Sequence, residues 1–124
     1  MIQKMKIKIK KLSEKAKIPT KIYPDSRTAE AAKLMCTTYY GWNIIFAKEL
    51  EKFCKANELD FQYVYTDFTR SYNQHVSPQW RKPIMDPKPG KIGGHCVIPN
   101  AEILKGWDVA DFITSKNETY EDSI

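Results

Sequence analysis

The pattern that most constrains this chain runs from about residue 27 to residue 56. Ala32, Met35, Tyr39, Trp42, Phe46, Leu50 and Phe53 recur three or four positions apart, the period of one face of an α-helix. A continuous helix over 27–56 would be roughly 45 Å long at about 1.5 Å per residue. Leu34, Ile44 and Ile45 mark a second apolar face. A helix apolar on two sides is covered on two sides, so this one is expected to be the spine of its domain or of a dimer. Asp25 or Ser26 stands where an N-cap is needed, with Glu30 in the first turn. Gly41, in the middle, costs about 1 kcal/mol relative to alanine and so predicts a close contact there.

The remaining segments are arranged around that spine. Met5, Ile9, Leu12 and Ala16 read as an amphipathic helix, although Ile7 and Ile9 between lysines would equally suit an edge strand. Ile18-Pro19 is expected to end it, because proline disfavours helical geometry in the residue before it. Lys21-Ile22-Tyr23, closed by Pro24, reads as a short strand. Residues 61–68 (FQYVYTDF) alternate like a strand, yet equally suit a short helix. Residues 69–92, with Pro78, Pro83, Pro87 and Pro89, read as an ordered loop. Pro99-Asn100 opens a last helix, 100–114, carrying Ile103, Trp107, Ala110 and Ile113. The expected fold is mainly α: a helical domain over 25–114 built on one long helix. A helix-strand remnant of an α/β domain over 1–24 precedes it, and a frayed polar tail over 115–124 follows.

Composition removes several classes. A chain of 124 residues holds one domain, not a dinucleotide-binding domain and a separate substrate domain. No window approaches the roughly 20 apolar residues of a membrane span. The net charge of +5 is local: residues 1–17 carry seven lysines against Glu14, leaving a nearly neutral body. That block holds no aromatic for base stacking, so a solvated helix face is favoured over nucleic-acid binding. Cys36, Cys54 and Cys96 are odd in number and follow no secretory leader pattern, which points to a reducing compartment, the cytoplasm.

The sharpest chemical feature is Gly93-Gly94-His95-Cys96-Val97-Ile98-Pro99-Asn100. Two glycines let backbone approach a ligand closely. A cysteine just ahead of a helix faces unpaired N–H groups that favour the nucleophilic thiolate, and His95 could add charge or proton transfer. A glycine-rich turn with a small buried cysteine explains the same residues. Lys33, one turn before Thr37 and three residues after Glu30, lies on a helix whose inward residues are apolar. It either snorkels or acts as an electrostatic or acid/base group. No tight metal-ligand spacing joins His75, His95 and the cysteines, and there is no G-x-G-x-x-G.

Thr28-Ala29-Glu30-Ala31-Ala32-Lys33-Leu34, then Ile45-Phe46-Ala47-Lys48-Glu49-Leu50, then Pro89-Gly90-Lys91-Ile92-Gly93-Gly94-His95-Cys96 together resemble the UDP-glucose/GDP-mannose dehydrogenase family. The match is to its central, dimer-forming domain, over roughly 25–112, and the Gly-Gly-His-Cys element resembles members that oxidise N-acetylated UDP-sugars. The resemblance implies an NAD-dependent oxidation of a nucleotide sugar to a uronic acid. Cys96 would attack an aldehyde made from the 6-hydroxyl, and Lys33 would stabilise oxyanion charge. Glu30 would match the helix glutamate, Gly93, Gly94 and His95 would lie in the sugar-contacting turn, and Arg81 would be a substrate-binding arginine from a neighbouring subunit. A homodimer through the long helix is implied as well.

The sequence also departs from that family. Thr37 stands where the family has asparagine, and Asn100 where it has the aspartate associated with activating water. The family's Phe-Asn-Glu run appears as Ala47-Lys48-Glu49. An amide cannot take a proton as a carboxylate does, so thioester hydrolysis lacks that group. Residues 2–23 resemble the end of an N-terminal Rossmann domain, implying that NAD binds on another chain or another part of a longer protein. Three readings follow: a cysteine half-site completed by an NAD-binding partner chain, a dimerisation or binding module that has lost catalysis, or a small basic nucleic-acid binder.

Overall fold

The computed structural model describes residues 2–17 and 19–122. It holds helices α1 (Ile2–Lys15), α2 (Ser26–Ala56), α3 (Phe68–Gln74), α4 (Val97–Ile103) and α5 (Asp108–Glu118). A π-helical turn over Gln62–Asp67 runs directly into α3, and a 3-10 turn covers Pro78–Trp80. There is no strand among the described residues, so the mainly α fold class holds. The chain divides into two units, Met1–Lys33 and Leu34–Ile124.

In the first unit, α1 leaves Met5, Ile9 and Leu12 exposed. It closes earlier than the proline rule suggests. Lys17 takes the left-handed conformation (φ 58°) that terminates helices, and Ile18 lies outside the described residues. The strand expected at Lys21-Ile22-Tyr23 does not form: these residues have no neighbouring strand to satisfy a ladder, and an isolated one is not stable. The Lys6 ammonium instead donates to the Pro24 carbonyl at 3.2 Å. Asp25 is the N-cap of α2: its Oδ1 accepts the Thr28 N–H at 2.7 Å, which holds its carboxyl below the ordinary value.

The second unit is organised by α2, but by the less apolar of its two faces. Thr38, Gly41, Ile45 and Lys48 are buried, at spacings of three and four, whereas Met35, Tyr39, Trp42, Phe46 and Phe53 are exposed. The packed stripe is one residue, about 100° of helix, away from the aromatic one. Gly41 explains the choice. A Cβ there would stand 2.8 Å from Val97 Cγ1 and 3.0 Å from Ile113 Cδ1, so α4 and α5 both press on bare backbone. Val97, Ala101, Ala110 and Ile113 form the core cluster. Trp42 fastens α5 from the side: its indole N–H donates to the Val109 carbonyl at 2.8 Å and its ring stacks on Phe112 at 4.3 Å.

Three segment expectations are corrected. Of the two readings of residues 61–68 the helical one holds, and residues 69–74, expected as loop, continue it as α3, with Tyr65 buried. The single helix expected over 100–114 is two helices. Gly106 turns the chain with φ 99° and its N–H is taken by the Asp111 carboxylate at 3.1 Å. Residues 115–118 belong to α5 rather than to a frayed tail, held by buried Asn117, and residues 123–124 lie outside the described residues.

Candidate functional site

Cys96 is the N-cap of α4, which starts at Val97, three residues before the expected position. Pro99 therefore sits in the first turn, where a missing N–H costs nothing. The Cys96 carbonyl accepts the Asn100 N–H at 3.1 Å, while its thiol makes no capping bond and is exposed. Gly93, Gly94 and His95 are exposed too. Gly94 has φ +83°, a conformation side chains rarely adopt, and nothing lies within 4 Å of a Cβ built at Gly93 or Gly94. Conformation, not crowding, requires glycine at 94, and this face of the turn is open.

One turn beyond Cys96, Asn100 Nδ2 donates to Thr37 Oγ1 at 3.2 Å. Thr37 in turn donates to the Leu34 carbonyl at 3.1 Å. Two positions 63 residues apart in sequence thus meet, both half-buried. The pair is an amide on a hydroxyl, and neither group accepts a proton near neutral pH. Glu30 and Lys33 belong to the first unit, where both are exposed. Lys33 is thus solvent-facing rather than inward. Arg81, also exposed, follows the 3-10 turn and donates its N–H to the Pro78 carbonyl at 3.2 Å.

Between Arg81 and Cys96 the backbone is a strap without regular secondary structure, fastened by side chains of the helical segments. Asn73 bonds both the N–H and the carbonyl of Lys82, each at 2.8 Å. The Tyr65 hydroxyl accepts the Met85 N–H at 2.8 Å. The Lys48 ammonium donates to the carbonyls of Lys88 and, at 2.7 Å, Gly90. Asn117 Oδ1 accepts the Ile92 N–H at 2.7 Å. Lys48 is only 8% exposed, and burial lowers its pKa from the ordinary lysine value against the opposing Glu51 carboxylate. Sequence reasoning assigned none of these four a role. The available signal was Lys48 itself, a charged residue on the stripe of Gly41 and Ile45.

Beside Lys48, Glu49 accepts from Lys116 at 2.7 Å and from the Tyr120 hydroxyl at 3.1 Å. Lys116 holds the Glu49 carboxyl below its ordinary value, while burial and then Glu49 push the Tyr120 phenol up. A carboxyl depressed by folding adds stability above its unfolded pKa, and that stability is lost as pH falls through the folded value. The stability gap between wild type and Glu49→Gln, measured by urea unfolding, is therefore expected to be full at pH 7 and to shrink below a pH of about 4.3. A gap that stays constant from pH 7 to pH 3 would contradict the ion pair's contribution.

The described residues contain no strand, and so no glycine-rich phosphate turn following one. Among them no three His, Cys, Asp or Glu side chains could hold a metal, and no helix is long and apolar enough to cross a membrane. A family model described as the UDP-glucose/GDP-mannose dehydrogenase family, central domain, matches residues 27–107. A UDP-N-acetyl-D-mannosamine dehydrogenase of Methanococcus vannielii is 35% identical over 119 residues, covering 94% of this chain and 26% of the relative. One from Methanococcus maripaludis is 36% identical over 119 residues with the same coverage. The chain thus spans about a quarter of the length of these curated relatives. No solved structure matches it significantly.

Proposed function

The chain belongs to the UDP-glucose/GDP-mannose dehydrogenase family, as its central domain, and from that premise we propose that it is the cysteine-bearing, dimer-forming part of a nucleotide-sugar 6-dehydrogenase-like oxidoreductase. The observation that supports this reading is the placement of Cys96. It is exposed at the N-terminus of α4, in an open glycine turn, one turn from the Asn100–Thr37 pair. In the proposed step Cys96 Sγ, as thiolate, bonds to the aldehyde carbon of an oxidised UDP-sugar. The carbonyl π pair moves to oxygen, and the resulting alkoxide is stabilised by the Lys33 ammonium. Glu30 takes the place of the family's helix glutamate, Gly93, Gly94 and His95 receive the sugar, and Arg81 serves the substrate of a partner subunit. The hydride acceptor, NAD by resemblance, has no site among these residues, and no step through it is derived. The cytoplasm, where all three cysteines stay reduced, is the proposed compartment.

A second reading, a dimerisation module without catalysis, is favoured by one observation. The Asn100–Thr37 pair supplies no carboxylate that could activate water. Iodoacetamide alkylation at neutral pH, followed peptide by peptide, separates the two. The catalytic reading expects Cys96 to react several-fold faster than exposed Cys36, with buried Cys54 unlabelled. It further expects Lys33→Ala to slow Cys96 toward the rate of a free thiol. Equal rates at Cys96 and Cys36, indifferent to Lys33, would leave the fold as a scaffold.

A further inference from the structure

Lys48, in the run Ile45–Leu50, carries no role in the chemistry above. Its environment is unusual for a lysine. It lies on the packed stripe of α2, 8% exposed, with its ammonium on the carbonyls of Lys88 and Gly90 and 5.1 Å from the centroid of the Tyr120 ring. A buried ammonium is costly unless its donors are used, so these contacts hold it there and it holds them. The two carbonyls straddle Pro89, which has no N–H of its own, and Gly90 has φ 90°. The strap at this point therefore has little backbone means of fixing its path. Two residues beyond Gly90, Asn117 takes the Ile92 N–H, and the glycine turn and Cys96 follow directly.

We infer that Lys48 is a positioning residue for the Cys96 turn: a buried cation on α2 that clamps the strap at Lys88 and Gly90 and thereby sets where Gly93–Cys96 leaves the helical core. The inference rests on the proposed reading of Cys96 as the reacting group. The clamp itself does not, and its test is read independently of reactivity.

The experiment is amide hydrogen exchange on the whole chain for wild type, Lys48→Met and Lys48→Arg, with Cys96 alkylation alongside. Methionine keeps the length of the stem and removes the donors; arginine restores them. In Lys48→Met, exchange over 88–96 should rise about tenfold or more while α4 and α5 stay close to wild type. Cys96 alkylation should fall to the Cys36 rate, and Lys48→Arg should recover both. Unchanged exchange over 88–96 overturns the inference, as does a rise shared equally by α4 and α5, which would mark Lys48 as merely structural. Should Lys48→Met fail to fold, Lys48→Gln, whose amide reaches one carbonyl, takes its place, with intermediate exchange expected and wild-type exchange overturning the clamp. Faster exchange in the variant combined with an unreactive wild-type Cys96 would uphold the clamp and defeat the catalytic reading instead.

Discussion

Gly41→Val is expected to unfold the second unit at moderate denaturant, with a loss above about 3 kcal/mol. The reason is the absence of room. Even a single Cβ would stand 2.8 Å from Val97 Cγ1 and 3.0 Å from Ile113 Cδ1, and both side chains are themselves buried against Ala101 and Ala110. Two further methyl groups must push α4 and α5 off α2 together. Gly41→Ala is the graded case. Overpacking costs about 1–3 kcal/mol, and the better helix propensity of alanine returns about 1 kcal/mol, for a net loss of up to about 2 kcal/mol. A cycle with Val97→Ala identifies the cause. Removing the methyl that meets the new Cβ should rescue Gly41→Ala, so the double variant is less destabilised than the sum of the singles. Urea unfolding followed by tryptophan fluorescence reads all four proteins. Strict additivity of Gly41→Ala and Val97→Ala would show that the close approach at Gly41 does not determine the packing.

The close contact at Gly41 was legible because a helix-breaking residue in the middle of a strong helical period needs a reason. The bounds of α2 and its Asp25 cap were legible on equally local grounds. The orientation of α2 was not. Apolarity ranks Tyr39, Trp42 and Phe46 above Thr38, Gly41 and Ile45, but small residues let helices approach, and here approach decided which face packs. The division of α4 from α5 was hidden because Ile103, Trp107, Ala110 and Ile113 keep a helical period across Gly106, whose positive φ breaks it. At the site, the cysteine turn was legible from its glycines. The meeting of Thr37 with Asn100 was not, since local spacing carries no information about partners 63 residues apart. The strap's fastenings escaped notice for the same reason, each joining a helix side chain to a distant backbone group.

The aromatic face that α2 leaves uncovered has its own expected consequence. Tyr39, Phe46 and Phe53 are 66%, 59% and 56% exposed, and with Met35 and Trp42 they form one stripe along a helix of 31 residues. Beside Trp42 and Trp107 lies an apolar cleft of about 500 Å³. A contiguous apolar surface of this kind marks an interaction site, and the proposed homodimer would cover it with its own copy. In a two-fold interface each substitution acts twice, and a central aromatic is worth about 2 kcal/mol or more when lost. Tyr39→Asp combined with Phe46→Asp should therefore weaken self-association by about five decades or more, at about 1.4 kcal/mol per decade. Because both side chains face away from the core cluster, helix content by circular dichroism should stay at the wild-type level. Sedimentation equilibrium at micromolar concentrations provides the readout: a dimer for wild type and a monomer for the double variant. A wild type that sediments as a monomer across that range would mean that something other than a second copy covers the stripe. A double variant that remains dimeric would move the interface off α2.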